Sequence, residues 1–102
     1  MKKIILFFAL FMIGFSLFAD EGRSLYKSYC AQCHSTGSGG APRVKDAKNW
    51  APRLLKGNDL LIAHAYNGYN LMPPKGNCYD CTEQQIADAV NYMINVEVKK
   101  TS

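Results

Sequence analysis

The sequence predicts an all-α domain in which short helices and irregular loops close around something other than their own side chains. Three observations predict it. Apolar residues recur at helical spacing in separate segments over 20–29, 60–67 and 82–95. No segment alternates apolar and polar residues as a half-buried strand does. Between the helical segments lies a long unpatterned stretch, 35–56, which a compact domain does not keep without an internal partner.

The chain has 102 residues, and the first nineteen stand apart. Lys2 and Lys3 precede a nearly unbroken apolar run over 4–18, and Ala19 is followed at once by Asp20 and Glu21. That order is the pattern of a secretory signal peptide cleaved after Ala19, although Leu17 is larger than the small residue favoured at its position. The apolar run of fifteen is short of the about 20 residues a spanning helix needs, which weighs against a retained membrane anchor. Residues 20–102 are then a single exported domain.

Within that domain, residues 20–29 place Gly22, Leu25, Tyr26 and Tyr29 on one helical face and lead directly into a cysteine pair. Over 35–56, Gly37, Gly39, Gly40, Pro42 and Pro52 break any period. Asn58 or Asp59 can cap a helix over 60–67, which Gly68 stops. Residues 69–81 are irregular again, with Pro73, Pro74 and Gly76. Thr82 and Gln85 form a capping-box signal. The last helix follows, with Ile86, Ala89, Val90, Met93 and Ile94 as its buried stripe. Val96 onward, with Lys99 and Lys100, reads as a frayed tail.

Composition sharpens the need for a partner. All five Phe fall in the leader, leaving six Tyr, Trp50 and a modest aliphatic set for the exported part. So small a domain wants a staple, a metal or a cofactor to complete its core. Once Lys2 and Lys3 are removed, ten Lys and Arg face eight Asp and Glu, a formal +2. That is no footing for nucleic-acid binding, which wants a concentrated basic face.

Cys30-Ala31-Gln32-Cys33-His34 carries the chemistry. Two thiols three positions apart on a helical turn reach the vinyl groups on neighbouring pyrroles of a haem, and the adjacent imidazole comes up beneath the iron. The motif also occurs in zinc sites; behind an export signal in so short a chain it points to one covalent haem c. The choice of a sixth iron ligand falls among Met72, Met93 and His64. Met93 lies on the apolar stripe, where Met is core filler. Met72 lies in Leu71-Met72-Pro73-Pro74, outside any helix, where Pro73 biases it toward extended backbone and lets its side chain meet the iron. His64, in the middle of a short helix, reads as a solvated residue.

Here the sequence resembles a known family. His34 followed 38 residues later by Met72, between a first helix with Gly22 and Tyr26 and a last helix with Tyr92, resembles class I cytochrome c. Asn49-Trp50-Ala51-Pro52-Arg53, Met72-Pro73-Pro74-Lys75-Gly76 and Cys78-Tyr79-Asp80-Cys81 look like cytochrome c5. The similarity covers most of 20–95. It implies the class I fold, three to four short helices and irregular loops around one covalent haem. It implies His34 and Met72 as axial ligands, with the Pro42 carbonyl accepting from the other His34 ring nitrogen. It implies that Trp50 and Arg53 approach the haem propionates and that Gly22 and Tyr26 meet Tyr92 where helices cross. Beside these stand plainer readings: Trp50 as core filler, Pro42 as a loop breaker, Arg53 as a solvated cation. The resemblance also implies a Cys78–Cys81 disulfide. A redox dithiol lacks the surrounding βαβ pattern, and a four-cysteine zinc site would need a pair separation far shorter than Cys33 to Cys78; the disulfide suits an oxidising compartment.

An iron bound on both faces leaves no site for a substrate, and nothing in the sequence resembles a catalytic acid, base or nucleophile. The expectation is a single-electron carrier of the periplasm, not an enzyme. Its partners would be redox proteins such as a quinol-oxidising complex and a terminal oxidase or reductase. It would be a monomer or weak dimer that meets a membrane only through a partner or a retained leader. Lys27, Lys45, Lys48, Lys56 and Lys75 are candidates to frame an exposed haem edge for docking, against the plainer reading of a solvated face. Two rivals remain: a five-coordinate haem protein that binds or senses small ligands, and a haem-free thiol–disulfide protein.

Overall fold

The structure is a computed structural model that describes residues 21–101, with side chains through Val96; the expected leader lies outside the described residues. The described residues form four helices: α1 over 21–34, α2 over Ala47–Leu54, α3 over Asn58–Asn67 and α4 over Glu83–Thr101. Single 3₁₀ turns occur at Ser38–Gly40 and Pro74–Asn77. Among the described residues there is no strand, and one isolated bridge pairs Tyr69 with Met72. The all-α expectation holds. No helix of the described residues is long and apolar enough to cross a membrane.

α1 does not stop before the cysteines but runs through them to His34. Its turn over Tyr26–Cys30 is π-helical, a device that accommodates one extra residue and is frequent at functional sites. The wide turn throws later residues off the expected register. Gly22 is buried and Leu25 and Tyr26 are half-buried, whereas Tyr29 is 41% exposed and leaves the face assigned to it. α1 meets α4 closely: a Cβ on Gly22 would lie 2.5 Å from the Asp88 carbonyl oxygen. Beside that crossing the Tyr26 and Tyr92 rings lie 5.4 Å apart, tilted by 49°. Of the expected meeting, Tyr26 lies against Tyr92, whereas Gly22 meets the α4 backbone at Asp88 rather than Tyr92 itself.

α2 lies in the stretch read as unpatterned, and its presence corrects that reading. Asp46 caps it, its carboxylate accepting from the Asn49 backbone N–H at 3.4 Å and the Asn49 amide at 2.6 Å. Pro52 cannot donate to the Lys48 carbonyl, but the helix is only eight residues long and Lys48 is exposed. α3 is capped by Gly57 rather than by Asn58 or Asp59, which fall in its first turn, and Gly68 ends it at φ 91° as expected. α4 opens on the expected capping box: the Thr82 N–H donates to Gln85 Oε1 at 2.8 Å, and the Gln85 N–H to Thr82 Oγ1 at 3.1 Å. All five stripe residues of α4 are buried. The frayed tail is not observed. α4 continues to Thr101, because no Gly or Pro interrupts it and Val96 still finds packing partners.

Among the described residues two clusters make the core. In one, Ala65, Cys78, Cys81, Ile86, Val90 and Ile94 are buried, with Met72 and Leu54 among the half-buried residues against them. In the other, Val44, Trp50 and Met93 are buried, with Tyr26, Cys30 and Leu54 against them. Leu54 joins the two. Met93 is 4% exposed and packs in the second cluster, as a core filler does. Cys78 and Cys81 are disulfide-bonded, with Cα atoms 5.4 Å apart. So short a loop yields about 2 kcal/mol by chain entropy, and the two buried sulfurs add packing that a polar residue could not.

Candidate functional site

α1 delivers the site. Its final turns carry Cys30, Cys33 and His34 in consecutive helical geometry, so both thiols and the imidazole are placed by one rigid element. Cys30 and Cys33 are free and half-buried. Burial pushes the Cys30 thiol up to about 11, so it stays protonated at neutral pH and is a poor redox nucleophile.

The loop that follows wraps back over His34. The Val44 N–H donates to the His34 carbonyl at 2.8 Å, which brings 42–44 beside the ring. His34 Nδ1 lies 2.9 Å from the Pro42 carbonyl oxygen and, as the N–H tautomer, donates to it. His34 is only 9% exposed, and among the described residues nothing hydrogen-bonds its other ring nitrogen, Nε2. Burial lowers its pKa, the Pro42 bond opposes that shift, and the positive charge of Arg53 adds to it. A neutral, oriented imidazole with a lone pair at Nε2 is a prepared metal ligand.

α2 walls this loop. Trp50, 5% exposed, donates from Nε1 to the Arg43 carbonyl at 2.8 Å, and its ring lies 6.1 Å from that of His34. The Arg43 carbonyl is a partner that the sequence could not single out, since any residue carries one. Arg53 donates from Nη1 to the Asn49 carbonyl at 2.6 Å, one turn back along α2. Its charge thus stands near His34 while its side chain is held by the helix.

Met72 belongs to the other cluster. It is half-buried, and its backbone N–H and carbonyl are both engaged by Tyr69, at 2.9 and 3.1 Å. His64, expected to be solvated, is half-buried and stacks on Tyr69 with centroids 3.9 Å apart and planes 8° from parallel. The spacing of five residues between them matches no helical period, so no sequence signal pointed to the pair. Lys75 Nζ lies 4.9 Å above the centroid of Tyr66.

The family described as Cytochrome C oxidase, cbb3-type, subunit III, matches residues 18–93. Cytochrome c-555 of Chlorobaculum thiosulfatiphilum is 40% identical over 80 residues, covering 74% of this chain and 93% of that protein. The chain is a class I c-type cytochrome. Cytochrome c5 of Azotobacter vinelandii is also 40% identical, over 77 residues, covering 74% of the chain and 93% of the relative. A solved cytochrome c, from a crystal structure titled as an electron transfer complex of nitrite reductase with cytochrome c, superposes with a TM-score of 0.71. It is 38% identical and covers 76% of this chain and 94% of that one.

Members of this family carry covalently attached haem c, and the donor set of this cytochrome fits the group. Two free thiols sit one helical turn apart, and a buried imidazole keeps one nitrogen unengaged. Half-buried apolar side chains, Leu54, Leu61, Ile62 and Met72, offer the dry surface a porphyrin needs. The Cys78–Cys81 disulfide takes two of the four thiols that a four-cysteine zinc site would need.

Proposed function

We propose that this cytochrome is an exported monohaem electron carrier of the periplasm, with haem thioethers at Cys30 and Cys33 and the iron held between His34 and Met72. The observation that carries the reading is the buried His34 ring, committed to the Pro42 carbonyl at Nδ1 and unengaged at Nε2. Buried side-chain nitrogens are as a rule hydrogen-bonded, so an unengaged Nε2 is what a metal ligand, rather than a core histidine, presents. Haem c supplies a one-electron couple, and the chain's part is to tune and shield it. A thioether from Met72 and a mostly buried setting both favour the ferrous state and raise the potential relative to two imidazoles. Trp50 and Arg53 stand beside the His34 loop, where they would meet the propionates.

With both iron faces taken there is no position for a substrate, and the carrier reading follows. Its partners would be a quinol-oxidising complex and a terminal oxidase or reductase; that a similar cytochrome c was crystallised with a nitrite reductase supports redox proteins as partners. Such contacts are small, below about 1,200 Å², so that release does not limit turnover. Exposed Lys27, Lys48 and Lys56 are available to steer the encounter.

The test is a preparation co-expressed with haem-attachment machinery. Its pigment should resist acid-acetone, and the ferric form should show the weak far-red band of thioether ligation. Ferrous protein should take up carbon monoxide slowly, and Met72→Ala should make uptake fast. Fast uptake by the unaltered protein would instead support a five-coordinate small-ligand binder.

A further inference from the structure

After α3 the chain reverses at Gly68, and Tyr69 and Met72 close a two-residue turn by exchanging both backbone hydrogen bonds across Asn70, at φ 54°. Met72 is therefore held on one side by Tyr69 and stiffened on the other by Pro73. Its backbone therefore moves together with that of Tyr69. The turn itself is poorly buried, since Tyr69 is 46% and Leu71 79% exposed. What ties it down comes from the end of α3: His64 stacked on Tyr69, Tyr66 under Lys75, and Gly68 packed so closely on Pro74 that a Cβ would lie 3.1 Å from its Cδ. The His64 stack bears on the arm of the turn that Met72 shares.

We propose that His64 is a positioning residue: by stacking on Tyr69 it holds the Met72 turn in place and sets how often Met72 leaves the iron. This rests on Met72 as the axial ligand. Displacing Met72 carries Tyr69 away from the imidazole, so the stack's free energy is lost on opening and restored on closing. A near-parallel ring pair contributes about 1 kcal/mol, which corresponds to about fivefold in that opening equilibrium.

The experiment follows imidazole uptake by the ferric holoprotein, read as loss of the far-red band. His64→Ala should raise the rate about fivefold, with an unchanged far-ultraviolet helix signal. His64→Phe, which keeps a ring and has no titratable group, should return it to within about twofold of the unaltered protein. Tyr69→Leu should match His64→Ala, and the double variant should exceed neither. Rates in His64→Ala within about 1.5-fold of the original, or no rescue by Phe, would overturn the proposal, since a lost stack predicts a change above that margin. If His64→Ala yields no folded holoprotein, Tyr69→Leu decides alone in the same assay. Met72→Ala separates the two layers. Fast uptake there with no effect at His64 refutes the stack, whereas no change there refutes the ligation reading and the proposal with it.

Discussion

Gly22→Ala sets two physical effects against each other, and the structure says which wins. In an exposed helix the change would be favourable by about 1 kcal/mol, because Gly is a poor helix former. At the α1–α4 crossing the added Cβ would sit 2.5 Å from the Asp88 carbonyl oxygen and 2.9 Å from its carbon. An ordinary carbon–oxygen contact is about 3.3 Å or more, so the helices must part by about 0.8 Å. Both atoms it meets are backbone, and no side chain can swing aside to make room. Overpacking of that kind costs about 3 kcal/mol at the upper end of its usual range. The net loss is about 2 kcal/mol, or a fall of about 10 °C in melting temperature for a domain of this size. Thermal melts of ferric holoprotein measure it directly. Ser24→Ala, on the exposed side of the same helix, is the control and should stay within about 0.5 kcal/mol. A Gly22→Ala protein that melts at or above the original temperature would refute the close crossing.

Trp50→Phe keeps most of the ring but removes the Nε1 bond to the Arg43 carbonyl, which still accepts from the Asp46 N–H. Denaturant unfolding should show a loss of about 1 kcal/mol with an unchanged slope, and a loss under about 0.5 would mean the bond contributes little. Tyr26→Phe tests the alkaline limb. Burial first, then the negative charge that Tyr92 acquires, raise the Tyr26 pKa in the folded chain. Above about pH 10 the unfolded chain therefore gives up this proton first, and stability is lost as pH rises through the folded value. The Phe variant should match the original at neutral pH and lose less between about pH 9 and 11; equal losses would exclude Tyr26 as a contributor.

The sequence by itself determined whatever depends on neighbours within about one helical turn. The two thiols and the imidazole lie within five consecutive residues, so the chemistry they share is legible without a fold. Thr82 and Gln85 satisfy each other locally, and the stripe from Ile86 to Ile94 is a property of one helix. Tertiary structure decided what depends on distant partners. α2 is too short and too interrupted by Pro52 to be stable alone; it forms because Asp46 caps it and Trp50 buries its ring and reaches Arg43. The π turn in α1 moves Tyr29 out of a face that ideal periodicity assigned to it. His64 and Tyr69 come together only because the chain reverses at Gly68 with a left-handed φ. Local spacing encodes bonds formed within a turn, whereas a stack or a wall across a reversal depends on where the backbone has gone in between.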